Sequence, residues 1–282
     1  MEGGSPTLRR RRLGLALRRL REEAQLTGEV AANALERSAS WISRVESGRV
    51  GVRGRDLRDL FELYQLPEGE QRRELEELAR EGQRRGWWSR YSDALPEPYS
   101  VYIGLEDAAT RLSAFHNTVV PGLLQSEEYA RAICSLAIPP LPRDVLEARV
   151  EVRMLRQRLI AKESALRVAA VLDESVLHRA YGGRRILYEQ LGVLISAAHR
   201  SSIDIRVLPF DQERQIVFFG SFHILQFAND PSIVYIETLS GGFYQSGDAV
   251  DAHEQAFDYA LTAALDPEKS VTAMERARAR LA

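Results

Sequence analysis

The chain has 282 residues, 45% of them hydrophobic, and a net charge of −2, which suits one large domain or two ordinary ones of a globular protein. No apolar run approaches the roughly 18 residues that a membrane span needs. The charged start MEGGSPTLRRRRLG has no apolar stretch behind it, so neither a membrane segment nor a secretory leader is expected. The one cysteine, Cys134, excludes an internal disulfide and a cysteine metal cage, and a cytoplasmic location is the simplest expectation.

Charge is unevenly spread. Residues 1–66 hold 13 Arg against 9 acidic residues, a net +4, so the other 216 residues carry −6. A small basic unit followed by a larger acidic one is the pattern of a nucleic-acid-binding part joined to something else. All basic residues except Lys162 and Lys269 are arginine, a bias of overall composition, so only the placement of each arginine is informative.

Residues 1–12 read as a flexible basic arm ending in Arg9–Arg12, either solvated or clasping DNA. Leu13, Leu17, Leu20 and Ala24 recur at helical steps. Thr27 is a good N-cap for a short helix to about Leu35. A third helix starts near Ser38, with Gly48 at the left-handed position just past its end. A fourth covers about 54–66, with Leu57, Leu60, Phe61 and Tyr64 inward, and a fifth, highly charged one runs from 68 to about 85. Residues 67–98 are then a linker helix and an aromatic, proline-containing connection. Helical patterns follow at about 105–115, 126–137 and 142–162. Residues 165–174, 203–210, 222–227 and 232–238 read as strands, and 184–200 as a helix between the first two. That order predicts one parallel βαβ unit and one antiparallel hairpin. GGFYQSGD reads as a loop, and two helices at about 248–264 and 267–281 close the chain.

On a helical wheel of residues 37–47, Ile42, Val45 and Ser38 cluster on one side. Ser40, Arg44 and Ser47 lie opposite, flanked by Arg37 and Ser43, with Ala39 at the margin and Trp41 at the edge. A face of short polar residues tipped by one arginine can enter a major groove about 12 Å wide. Serines can bond base edges or phosphates, and Arg44 can form a bidentate pair with guanine. Arg49, Arg53 and Arg55 follow where phosphates would lie. The alternative is a helical hairpin of an all-α packing module with a wet polar face. Trp41 either stacks on DNA or covers the small core.

The stretch LTGEVAANALERSASWISRVESGR resembles the helix-turn-helix of the phage-repressor (Cro/Xre) family: a threonine-capped helix, a four-residue turn, a recognition helix, then Glu-Ser-Gly-Arg. The resemblance implies an all-α five-helix DNA-binding domain over 13–66. It places Ala39, Ser40 and Arg44 at base contacts. It also implies Arg21 with Glu46 as an internal ion pair, while Thr27, Gly28, Trp41, Ser43, Arg49, Arg53 and Arg55 are expected at the DNA backbone or groove from their places on and around the two helices. Two residues depart from the family. Gly28 stands where a glutamine commonly contacts phosphate, leaving the amides at that helix start, and Glu36 stands where the turn is commonly glycine.

GWWSRYSDALPEPYSVYIGLEDAAT, VVPGLLQSEEYARAI, VLDESVLHRAYGG, IRVLPF and VYIETLSGGFY resemble the large C-terminal domain of unknown function of many actinobacterial regulators. That implies an α/β (α+β) domain over 99–282, with a small mixed sheet of about four strands, for sensing or partner binding. It also implies a small neighbour-encoded protein partner and an antitoxin-like role as alternatives to plain transcription regulation.

Catalytic signals are sparse. Asp173, Glu174 and Glu237 at strand ends would suit a metal-dependent hydrolase or, more simply, would bond loop amides. The five histidines show no pair at helical ligand spacing, and there is no phosphate loop or nucleophile elbow. VVPGLLQ reads as core or as a pocket wall. The expectation is a homodimeric, sequence-specific DNA-binding transcription regulator that is not an enzyme and takes no cofactor or metal. Its partners would be double-stranded DNA and a second copy, with no membrane.

Overall fold

The computed structural model describes residues 5–161, 166–211, 220–238 and 241–282. Expectations for residues 1–4, for the last residue of the 142–162 helix, for the first of the 165–174 strand and for Ser240 fall outside these. The chain divides into two compact units, Met1–Arg90 with Ser100–Ala108, and Tyr91–Tyr99 with Ala109–Ala282.

The first unit is helical: α1 (Pro6–Glu23), α2 (Gly28–Ala34), α3 (Ala39–Glu46), α4 (Gly54–Leu63) and α5 (Glu70–Gly82). Its core joins Leu13 and Leu17 of α1, Ile42 and Val45 of α3, and Leu57, Leu60 and Phe61 of α4. Two expectations are corrected here. Residues 6–12 are not an arm but the first turns of α1, because Ser5 caps the helix and Pro6 fits its first turn. The expected linker helix α5 belongs to this unit, because Leu75 and Ala79, four residues apart, form an apolar stripe buried in the same core.

Helices α1 to α4 end alike. The amide of the third residue after each returns to a carbonyl five residues back: Leu26 to Arg21, Arg37 to Ala32, Arg49 to Arg44, and Leu66 to Phe61. The residue before that amide must adopt positive φ. Gly48 does so freely at 71°, whereas Gln25 (57°), Glu36 (52°) and Gln65 (55°) do so as side-chain-bearing residues.

The second unit is built on a six-stranded mixed sheet of order β3-β2-β1-β4-β5-β6, formed by β1 (Arg111–His116), β2 (Arg167–Asp173), β3 (Ile203–Leu208), β4 (Phe222–Gln226), β5 (Ile233–Thr238) and β6 (Gly241–Gln245). β1, β2 and β3 pair in parallel, and β4, β5 and β6 continue antiparallel. The βαβ unit is β2, α10 (Arg184–Ala198) and β3. The remaining helices are α6 (Glu97–Glu106), which spans the boundary between the units, α7 (Glu127–Ser135), α8 (Arg143–Arg156), α9 (Arg158–Ala161), α11 (Asp248–Ala263) and α12 (Pro267–Ala279).

Two strands were not expected. Residues 111–115, read as the end of a helix, belong to β1, a central strand with five buried residues of six. A strand buried on both faces loses the alternation that marks strands. β6 was read as loop because of its glycines, but Gly242 is the place where the Tyr235 ring lies, 2.3 Å from where a Cβ would stand. One face of the sheet is apolar: Phe115, Val171, Ile224 and Val234 pack with Val250 and Phe257 of α11. The opposite face carries His116, His223 and Tyr235.

Candidate nucleic-acid interface

α2 and α3 are positioned by caps at both ends. Thr27 Oγ1 accepts the Val30 amide at 3.2 Å, and Ser38 Oγ accepts the Trp41 amide at 3.2 Å. Ile42 and Val45 hold α3 to the core. Gly14 lets α1 approach within backbone contact: a Cβ there would lie 2.5 Å from the carbonyl oxygens of both Val45 and Glu46. At Gly48 a Cβ would likewise lie 2.6 Å from the Cα of Arg11. Arg21 and Glu46 form a bidentate ion pair, Nε to Oε1 at 2.6 Å and Nη2 to Oε2 at 2.9 Å, with both side chains about 12% and 11% exposed. Arg21 Nη1 also donates to the Leu26 carbonyl at 2.7 Å. This pair ties the end of α1 to the end of α3. The Glu46 hydrogen bond is the main cause that raises the Arg21 pKa.

The outward side of α3 is exposed at Ala39, Ser40, Ser43, Arg44 and Ser47, and Thr27, Arg49, Arg53 and Arg55 are exposed too. Trp41 is half-buried and packs against the core while the Arg37 guanidinium lies 5.4 Å from its ring centre. The core contact is the one that the core-covering reading of Trp41 expected. Gly28 is half-buried and the nearest atom to a Cβ there would be Ile42 Cγ2 at 3.9 Å, so a longer side chain would fit. Ser38 is corrected: expected beside Ile42 and Val45, it is exposed, because a cap residue with extended backbone (φ −84°, ψ 149°) leaves the helical wheel.

Sequence reasoning missed one element of this surface. Arg37 Nη2 donates to Asp56 Oδ1 at 2.6 Å, which fixes the arginine between α4 and Trp41. Glu36, Arg37, Arg53, Arg55, Asp56 and Asp59 surround a cleft of about 340 Å³ beside the turn. Residues 19 apart in sequence carry no local signal of such a contact.

In the second unit, Asp173 Oδ1 accepts the Ser175 amide at 2.9 Å and Glu174 Oε2 accepts the Phe210 amide at 3.0 Å, so these strand-end acids bond loop amides. Glu237 is exposed on β5. Among the described residues, no three His, Cys, Asp or Glu are grouped to hold a metal. His116 and His223 do meet, Nε2 to Nε2 at 2.7 Å, from neighbouring strands. Burial drives both below the usual histidine pKa, His116 to about 4, and the nearby His116 and Arg156 push His223 the same way. Of VVPGLLQ, Val120, Leu123 and Leu124 are buried, and the two leucines also edge a groove of about 670 Å³ shared with α10. Among the described residues, no helix is long and apolar enough to cross a membrane.

Comparison with known families returns two matches. Residues 12–75 match a model described as Helix-turn-helix domain, and residues 99–276 match one described as Domain of unknown function (DUF5753). No curated protein and no solved structure matches the chain. The first match covers α2 to α4 and parts of α1 and α5, and assigns them to a helix-turn-helix domain, the domain of DNA-binding regulators. The second spans more than half of the sequence, so the chain belongs to the DUF5753 family and carries a helix-turn-helix domain ahead of it.

Proposed function

We propose that the chain is a sequence-specific DNA-binding transcriptional regulator of the phage-repressor type, acting as a homodimer with α3 in the major groove. The observation that carries the reading is the exposed face of α3: Ala39, Ser40, Ser43 and Ser47 are short, and Arg44 is the long side chain among them. Such a face permits close approach to base edges, with Arg44 as the bidentate reader. Arg49, Arg53 and Arg55, with the capped start of α2 at Thr27 and Gly28, supply backbone contacts that set register. Two copies would place their recognition helices one turn apart, roughly 34 Å, on a palindromic site. The reading assigns regulation to the C-terminal unit and gives the chain no catalytic role.

The test is recovery and sequencing of random genomic fragments bound by the purified chain at near-physiological salt. A shared palindrome is expected. Arg44→Ala is expected to lose about 1–3 kcal/mol of discrimination at one base pair per half-site. Equal affinity and unchanged site preference in Arg44→Ala would exclude α3 as the reading helix.

A further inference from the structure

The groove of about 670 Å³ in the second unit has one wall made by a single stripe of α10. Glu189, Gly192, Val193, Ser196 and Ala197 follow at steps of three and four, so they share one face of the helix, and Arg200 stands just past its end. Gly192, Ser196 and Ala197 are short, which leaves that wall hollow. Leu123, Leu124 and Ile160, all buried, supply an apolar side, and Val193 is 37% exposed beside them. The volume is that of a small-molecule site, which typically holds about 300–1,000 Å³.

Two guanidiniums stand at this groove. Arg278 of α12 donates from Nε to the Tyr188 carbonyl at 3.1 Å, and its guanidinium lies 4.1 Å from the centre of the Tyr188 ring. It also lies along α10, since a Cβ at Gly192 would be 3.3 Å from its Nη2. The group is thus held in place by a carbonyl and a ring, while among the described residues its Nη groups have no hydrogen-bond acceptor. Arg200 donates from Nη2 to the Ile160 carbonyl. Among the described residues neither arginine makes an ion pair, and the carboxylate at the groove, Glu189, is taken by Arg185 at 2.7 Å.

These features select an occupant. A neutral apolar molecule would cover the leucines and leave the arginines unanswered. A small hydrophilic anion would meet only the arginines, where water screens the attraction. A cation would be repelled. A carboxylate with an apolar body uses both parts, since each apolar Å² covered gains about 25 cal/mol and a guanidinium already held in place takes two oxygens side by side.

We infer that this groove binds a small carboxylate with an apolar body. The Nη1–Nη2 edge of Arg278 takes the carboxylate, Arg200 adds positive charge at the same groove, and the body lies over Leu123, Leu124, Ile160 and Val193. The site lies wholly in the second unit and does not rest on the DNA-binding reading.

The test is titration calorimetry on the full chain, without DNA, using sodium octanoate below its micelle concentration, with sodium acetate and 1-octanol as the two half-ligands. Saturable binding of octanoate is expected, with neither half-ligand matching it. Arg278→Gln should weaken octanoate binding about tenfold. Arg276→Gln, an exposed arginine of α12 outside the groove, removes the same charge and should bind like the parent chain. If Arg278→Gln does not fold, Val193→Glu serves in its place: it sets a carboxylate in the groove from an exposed position and should abolish binding. No saturable binding of octanoate, equal binding of acetate or 1-octanol, unchanged binding in the Arg278 or Val193 variant, or an equal loss in Arg276→Gln would overturn the site.

Discussion

Arginine is used in opposite ways in the two units. On α3 and after it, Arg44, Arg49, Arg53 and Arg55 stand in water, where a guanidinium costs little to keep charged and where the proposed function has a polyanion meet it. On α8, Arg156 is almost wholly enclosed and Arg153 has its Nε sealed, and a tyrosine hydroxyl and a glutamine oxygen are among their acceptors. The first set can be altered one at a time with effects confined to binding. The second is embedded in packing, so each change there also tests the fold. A basic residue count taken over the whole sequence merges these two kinds and conceals both.

The contrast can be broken most sharply with acid. His116 and His223 have native pKa values below the unfolded value of about 6.5, so the native state binds fewer protons. Their contribution is fully present above pH 6.5 and is lost as pH falls. The slope is about 1.4 kcal/mol per pH unit for each histidine that stays neutral, or about 3–4 kcal/mol for the pair between pH 6.5 and 5. Urea unfolding of the C-terminal unit across that range measures it, and a flat profile would mean the pair is solvated. Next, Glu46→Ala should destabilise the N-terminal unit by about 2–3 kcal/mol, because it strands the mostly buried Arg21. A loss below about 0.5 kcal/mol would place Arg21 among the solvated arginines. Smaller still, Arg49→Ala should lower the slope of log binding constant against log salt by about 0.9 per protomer, about 1.8 for the dimer, while keeping the preferred site, read by titrations at several salt concentrations. At the bottom of the scale, Arg185→Ala removes pairs to Glu128 and Glu189 from a side chain 66% exposed, and should cost at most about 0.5 kcal/mol.

What the sequence disclosed follows the range of the forces involved. The caps Thr27 and Ser38 and the end at Gly48 are set by residues within a turn of one another, so their helices could be placed closely. The hairpin of β4 and β5 was legible for the same reason. The left-handed Glu36 was visible only as a departure from a familiar pattern, since the Arg37–Ala32 hydrogen bond that stabilises it leaves no mark on composition. β1 escaped because burial on both faces erased its alternation. The His116–His223 contact escaped because it joins residues 107 apart, and a search for metal-ligand spacing on one helix cannot find a pair made by register between strands.

Gly14 and Gly48 set α3 against the main chain of α1 on two sides, carbonyl oxygens at one and Cα at the other. Side chains in the surrounding core can be exchanged for others of similar volume without moving those contacts, because no substitution alters backbone atoms. Evolution is thereby free to rewrite the outer residues of α3, and so its target, and to let the core drift, while the angle at which the helix is presented is inherited unchanged. Substitution at either glycine is the kind of change that this inheritance would not survive.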